Sequence, residues 1–513
     1  MTAEKTLLVM SFGPVQSWIA AARRTVDLWA GSYILSHLTE RAIDALEKEA
    51  KKQDIDVEIV FPAVPRHRDI GSAEESVVAA FPNRFSAIVH GAPETAAALA
   101  RTVEAEVRRR LQALVEEAVD VVFNVGNGPV PEPIQAAKDQ AARQAESFLE
   151  VYWALEPIPA DTVGEDRKPF NAVLDRLESR LAAVKNARPI HPRKEIGLIC
   201  SVCGEREALH GGDVAVEDSV ADLRKKLVAL WDKRTGVYRS YGERSDDAAA
   251  EEEGRIDEGE FLCGLCLLKR AALDVFQRRS RRDGRVFALK RFPSTDEIAG
   301  PAKYYAVLLM DGDDMGKWFS SVQTVDDYRQ LSERLARFAQ EIVPKIIERH
   351  KGTLVYAGGD DVLAFVPAER ALSVARELRE AFGSDTGFKR EATASIGLVV
   401  SYYKDPLAQA LTKVRAMEKQ AKRYVNPSDP SRVKDALGLL LIPHSGDEKS
   451  VVLPWKGREG AAIGQAVKSL EELAGFFRRG HWFGFPFCPR CDFARHAASG
   501  GGTARGVGPA DQK

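Results

Sequence analysis

Cysteine is scarce in this chain, six in 513 residues, and all six fall in Cys-x-x-Cys pairs. So sparse a set excludes a fold stapled throughout by disulfides, the usual device of small secreted domains. Net charge is almost absent as well: 73 Lys and Arg against 75 Asp and Glu leave −2 at pH 7. A chain so balanced lacks the overall basic character of a protein whose main ligand is naked nucleic acid, which leaves only local patches open. Arg278, Arg279, Arg281, Arg282, Arg285, Lys290 and Arg291 form the densest of these, and a solvated helix end explains it as well as a phosphate-binding strip does. Long hydrophobic runs are missing: nothing approaches the ~20 residues of a membrane span, and the apolar stretch 7–10 is too short for a signal peptide. These absences point to a cytoplasmic protein with no membrane partner. Its length, far above the ~100–200 residues of one domain, predicts about three or four domains.

What is present is a concentration of acid between two glycines and two strands. The apolar runs 353–357 and 362–366 flank Gly358-Gly359-Asp360-Asp361, which reads as a β-hairpin with carboxylates at its tip. Glycine there permits positive φ and lets a triphosphate approach the backbone. Adjacent aspartates crowd two negative charges, an arrangement that a proton or a divalent cation must offset. Upstream, the buried-strand pattern 304–310 runs directly into Asp311-Gly312-Asp313-Asp314. A carboxylate at that strand end, beside the hairpin, can hold Mg²⁺ or Mn²⁺, which takes few protein carboxylates and keeps other positions for phosphate and water. Asp313 and Asp314 read as further ligands or as turn residues, the turn being favoured.

Thr324-x-x-Asp327 resembles a capping box that opens a helix ending before Gly352. Helices over 368–382 and 406–422 and a strand over 393–401 complete the order β-α-β-β-α-β, the split βαβ or ferredoxin-like pattern. Strand-Asp, the Gly-Gly-Asp-Asp hairpin, Ser395-Ile396-Gly397 and a helix ending Ala421-Lys422 resemble the palm domain shared by diguanylate cyclases and the polymerase-like large subunit of type III CRISPR effector complexes. The cyclases usually place Phe after the acidic pair. Val362 here, together with the stretch Ser401-Tyr402-Tyr403-Lys404-Asp405-Pro406-Leu407, fits the CRISPR family better.

The segment 7–19 aligns without a gap on 307–319 at an offset of 300, setting Met10 on Met310, Trp18 on Trp318 and Ser11 on Asp311. A helical run 18–50, strands at 57–61 and 85–90 and a helix 93–119 follow, so the sequence predicts a second palm without metal ligands. Phe12-Gly13-Pro14-Val15-Gln16, the stretch 21–33 and Phe81-Pro82-Asn83-Arg84-Phe85 resemble the III-B, or Cmr-type, large subunit. Cys200, Cys203, Cys263 and Cys266 supply four thiolates in two knuckles, enough for one structural Zn²⁺, with disulfides as the rival. Cys488 and Cys491, near His481 and His496, make a weaker half-site.

The expected architecture is α+β: a degenerate palm over 1–130, a helical zinc domain over 131–298, a metal-bearing palm over 299–442, and a C-terminal helical region with a disordered tail over 443–513. The resemblance implies joining of ATP into cyclic oligoadenylate when the complex, carrying CRISPR RNA and its other subunits, binds target RNA. It makes Asp311 and Asp360 principal Mg²⁺ ligands, with Asp361 in support. Gly312, Gly358, Gly359, Gly13, Gln16 and Lys422 become nucleotide contacts. No His-Asp dipeptide occurs, so no DNA nuclease activity is expected. A non-catalytic nucleotide-binding scaffold and a free-standing diguanylate cyclase-like enzyme remain the alternatives.

Overall fold

The computed structural model describes residues 4–63, 74–75, 77–126, 128–159, 170–187, 195–231, 256, 259–426, 429–456 and 464–478. Cys488, Cys491, His481, His496 and the Gly-rich end lie outside the described residues.

The N-terminal sheet is built from β1 (Lys5–Gly13), then α1 (Gln16–Ala20), α2 (Thr25–Lys52), β2 (Val57–Phe61), β3 (Arg84–Val89), α3 (Pro93–Val122), α4 (Glu132–Phe148) and β4 (Glu150–Ile158). Its strands lie in the order β2-β3-β1-β4 with every neighbour antiparallel. Next come α5 (Asn171–Asn186), packed on β4, and then α6 (Val220–Trp231) and α7 (Gly264–Arg282). The second sheet follows from β5 (Tyr304–Gly312), α8 (Met315–Ser320), α9 (Val325–Arg337), α10 (Val343–Arg349), β6 (Thr353–Gly358), β7 (Asp361–Pro367), α11 (Ala371–Phe382), β8 (Ala394–Tyr402), α12 (Leu407–Lys422), β9 (Ala436–Leu441) and β10 (Lys449–Pro454). Its order is β10-β9-β8-β5-β7-β6. The four strands β8-β5-β7-β6 repeat the fourth-first-third-second order of the first sheet, so the 300-residue offset in sequence corresponds to a repeated fold.

Period-2 geometry explains why β1 and β5 read as unbroken apolar runs. Leu8 and Met10 pack with α2 and α3, whereas Leu7 and Val9 face α5 and the helices of the second palm. On β5, Tyr305 and Val307 join the first of these clusters and Ala306, Leu308 and Met310 the second. Each central strand is thus covered on both faces, and the two palms share both clusters. The capping box is present: Thr324 Oγ1 accepts from the Asp327 amide and Asp327 Oδ2 from the Thr324 amide, both at 3.1 Å. The helix it starts widens into a π-turn over Phe338–Ile342 before α10, where Pro344 cannot donate to the regular ladder.

Three boundaries differ from expectation. The first sheet extends past residue 130, because β4 pairs along the whole of β1. The helical run 18–50 breaks at 21–24 into α1 and α2. The segment after 442 opens with β10, an edge strand on β9, before the helix α13 (Gln465–Arg478).

Candidate active site

Because β7 is the direct neighbour of β5, with Met310 opposite Val362, the tip of the β6–β7 hairpin arrives beside the end of β5. Gly359 makes the turn at φ +84°, a conformation that a side chain would strain. Carboxylate oxygens of Asp311, Asp360 and Asp361 then lie within 4.8 Å of one another. Gly312 permits this closeness, since a Cβ there would sit 2.8 Å from Asp360 Cβ and 3.0 Å from the Met315 side chain.

Burial and the neighbouring Asp311 charge push the Asp360 carboxyl up to about 7. Asp361 is raised well above its ordinary range by crowding protein atoms and by the other two acids, although its surface still opens to the cleft. Lys422, at the end of α12, places Nζ 2.5 Å from Asp311 Oδ1 and 3.8 Å from Glu418 Oε1. One lysine against this many acids leaves excess negative charge, and a set of hard oxygen donors so disposed fits a divalent cation such as Mg²⁺.

Asp313 and Asp314 turn away from the cluster. Asp313 is buried and accepts from Thr393 Oγ1 (2.9 Å), Ser395 Oγ (2.8 Å) and the Asp435 amide (3.1 Å). Asp314, at φ +57°, pairs with Lys434 and, at 3.3 Å, with Lys317. Both are turn residues.

A cleft of ≈ 280 Å³ opens onto the acids between the two palms. Gln16, Ile19, Ser32, Ser36, Pro82 and Asn83 line it from the first palm; Asp311, Tyr356, Gly358, Asp361, Arg415, Glu418 and Lys419 line it from the second. The Ala357 amide donates to Ala79 O at 3.3 Å and so holds the loop before β3 against the hairpin. Of the expected nucleotide contacts, Gly358 and Gln16 line this cleft, while Gly13, Gly312, Gly359 and Lys422 do not, Lys422 reaching Asp311 instead. Gly13 packs instead on the Glu150 side chain, and Gly312 and Gly359 act through backbone approach and turn. Ser11, which takes the place of Asp311 in the first palm, is buried and accepts from Lys185 Nζ at 3.0 Å. Sequence reasoning missed Arg415, Glu418 and Lys419. Their signal was the spacing of charged residues on one face of α12 ahead of Lys422.

The thiols of Cys200, Cys203, Cys263 and Cys266 also gather within 4.8 Å, unbonded to one another, with Cys203 Sγ 3.8 Å from Cys263 Sγ. Zn–S bonds of ~2.3 Å set the sulfurs of a tetrahedron ~3.8 Å apart, so the donor set fits zinc rather than disulfides. Cys263 caps α7, its sulfur accepting from the Cys266 amide at 3.4 Å, and burial pushes its thiol well above the ordinary range, a penalty on the thiolate that a bound cation would offset.

Two repeated palms, one bearing an acidic cluster and both facing one cleft, define a two-palm protein with a shared site. Residues 304–428 match the Cas10/Cmr2 second palm domain, and residues 7–116 match the N-terminal domain of the CRISPR-associated protein Cmr2. These two segments make the chain similar to the Cmr2-type large subunits. It is 26% identical to the CRISPR system Cmr subunit Cmr2 of Pyrococcus furiosus over 88% of its own length, and it spans 63% of that protein's. Among solved structures, type III-B Cmr-beta in the apo state shares the fold at TM-score 0.66 and 14% identity, covering 93% of this chain and 74% of the other. The same assembly bound to cognate target RNA gives 0.63 at 13% identity, with 93% and 75% covered. Among the described residues no helix is long and apolar enough to cross a membrane.

Proposed function

We propose that the chain is the nucleotidyl-transferring subunit of a type III-B CRISPR effector complex, joining ATP into cyclic oligoadenylate when the complex holds target RNA. The observation that carries this reading is the meeting of Asp311, Asp360 and Asp361 at a cleft walled by both palms. Partner subunits and the RNA enter the proposal through the relatives, which are components of Cmr assemblies.

The reaction attaches the 3′-oxygen of one nucleotide to the α-phosphorus of another and expels pyrophosphate. When bound, Mg²⁺ would offset phosphate charge and polarise the attacked group. Asp311, Asp360 and Asp361 would hold it. Gly358 offers open backbone for the phosphates to approach, and Lys422 adds positive charge beside Asp311. Gln16 and Asn83, on the facing wall, orient the partner nucleotide. Ser11 carries no charge, so the first palm binds without competing for the cation. Zinc on the four cysteines would be structural, since four protein ligands leave no open position.

The test is chromatographic analysis of products from ATP or GTP with Mg²⁺, using the protein alone and reassembled with its complex and target RNA. Oligoadenylate that depends on target RNA, and that falls at least ~10³-fold in Asp360→Ala, is the expected result. Product from GTP without partners would favour a diguanylate cyclase-like enzyme. Silence in every condition would favour a scaffold.

A further inference from the structure

The corner between α1 and α2 is held from outside the palm by two consecutive residues of α7, Lys269 and Arg270, both fully buried. Lys269 Nζ donates to Trp18 O at 2.9 Å and to Ala21 O, the carbonyls that end α1, and lies 4.5 Å from the centre of the Trp18 ring. Its aliphatic stem fills the space over Gly31, where a Cβ would come within 3.3 Å of Lys269 Cδ. Trp18 Nε1 in turn donates to Gly31 O at 2.8 Å. Arg270 grips the other side of the corner: its Nε is 2.8 Å from Asp27 Oδ1, and its other nitrogens bond Asp27 Oδ2 and Glu260. Asp27 Oδ2 accepts from the Arg23 and Arg24 amides at 3.2 Å and so starts α2.

The charges answer the helix ends they touch. A cation belongs at the carbonyl end of α1 and an anion at the amide end of α2, and Arg270 neutralises that anion where no water reaches it. One turn before Lys269 stands Cys266, and α7 itself begins from Cys263. On the cleft side of the same corner are Gln16 and Ile19.

We propose that Lys269 and Arg270 are positioning residues that fix α1 against the acidic cluster, so that the cysteine-knuckle helix sets the first-palm wall of the nucleotide cleft. This rests on the reading of that cleft as a nucleotide site. Lys269→Met keeps the stem and removes the charge. With ATP as substrate it should raise KM about tenfold or more and change kcat little, because α1 touches the nucleotide and not the acids. Equilibrium binding of a fluorescent ATP analogue should weaken by the same factor, with bound zinc close to wild type and the variant still folded.

Hydrogen exchange on the wild-type chain supplies a readout independent of folding of the variant. Amides of 19–22 and 26–28 should exchange together with those of 264–272 as one protected unit. Unchanged KM and analogue affinity in a folded Lys269→Met, or rapid exchange of 19–22 while α7 stays protected, would overturn the proposal. If the wild type binds no ATP analogue, the nucleotide reading fails on its own, and the exchange pattern still decides whether the clamp exists.

Discussion

Replacing Asp360 with Asn should stabilise the metal-free protein at alkaline pH and weaken it when the metal is supplied. In the fold the Asp360 carboxyl is pushed from its ordinary 3.8 to about 7 by burial and by Asp311. Its charged form is therefore disfavoured in the folded state relative to the unfolded one. The penalty is absent below pH ~4, grows through the window up to pH ~7 and is constant above. At about 1.36 kcal/mol per pKa unit the interval from 3.8 to about 7 caps the penalty at about 4 kcal/mol. Solvent at the cleft mouth and sharing of protons among three acids reduce this to an expected gain of about 1–2 kcal/mol for Asp360→Asn at pH 8 in EDTA. Thermal melts of the metal-stripped protein at pH 4 and pH 8 should show the variant close to wild type at the first and above it at the second. Addition of about 10 mM Mg²⁺ at pH 8 should then raise the wild type past the variant, because only an intact cluster gains binding free energy. A variant that melts below wild type at pH 8 without metal would refute the electrostatic account of the site.

Asp313→Ala should strand the Thr393 and Ser395 hydroxyls and the Asp435 amide, with a loss of about 2–3 kcal/mol in a denaturant titration. Metal stoichiometry in the folded variant should stay at the wild-type value, and its loss would make Asp313 a ligand after all. Lys422→Met should raise KM for ATP about tenfold while tightening Mg²⁺, since the acids lose their neighbouring cation; titration calorimetry and steady-state kinetics separate the two. Elemental analysis should find one zinc per knuckle set, and Cys200→Ser with Cys203→Ser should lose it along with protection of the 195–210 segment.

The sequence announced those parts of the fold whose local chemistry agrees with their tertiary role. The β6–β7 hairpin, the Thr324 capping box and the apolar β5 strand were all readable, and the hairpin and the strand end bring three acids together. The break between α1 and α2 was not, because the residues that stand there, Ala20-Ala21-Ala22-Arg23, have strong helix propensity. The buried Lys269, far away in sequence, supplies a partner for the carbonyls that end α1 at this point. Strand β4 was hidden for a different reason. Glu150, Glu156 and Pro157 interrupt its apolar pattern, as suits an edge strand with α5 on one face. The charged face of α12 was visible as a pattern, yet nothing local to it indicates that it closes a cleft formed with residues near the N-terminus.

Gly312 has a consequence larger than its size. The three acids converge because an atom is missing between strand and hairpin, and the gap that remains is narrower than a methyl group. A change to alanine there would touch no ligand and alter no charge, yet it would wedge the hairpin tip away from β5 and spread the oxygens. The spacing of this cluster is thus set by an empty volume in its wall as much as by the carboxylates that face it.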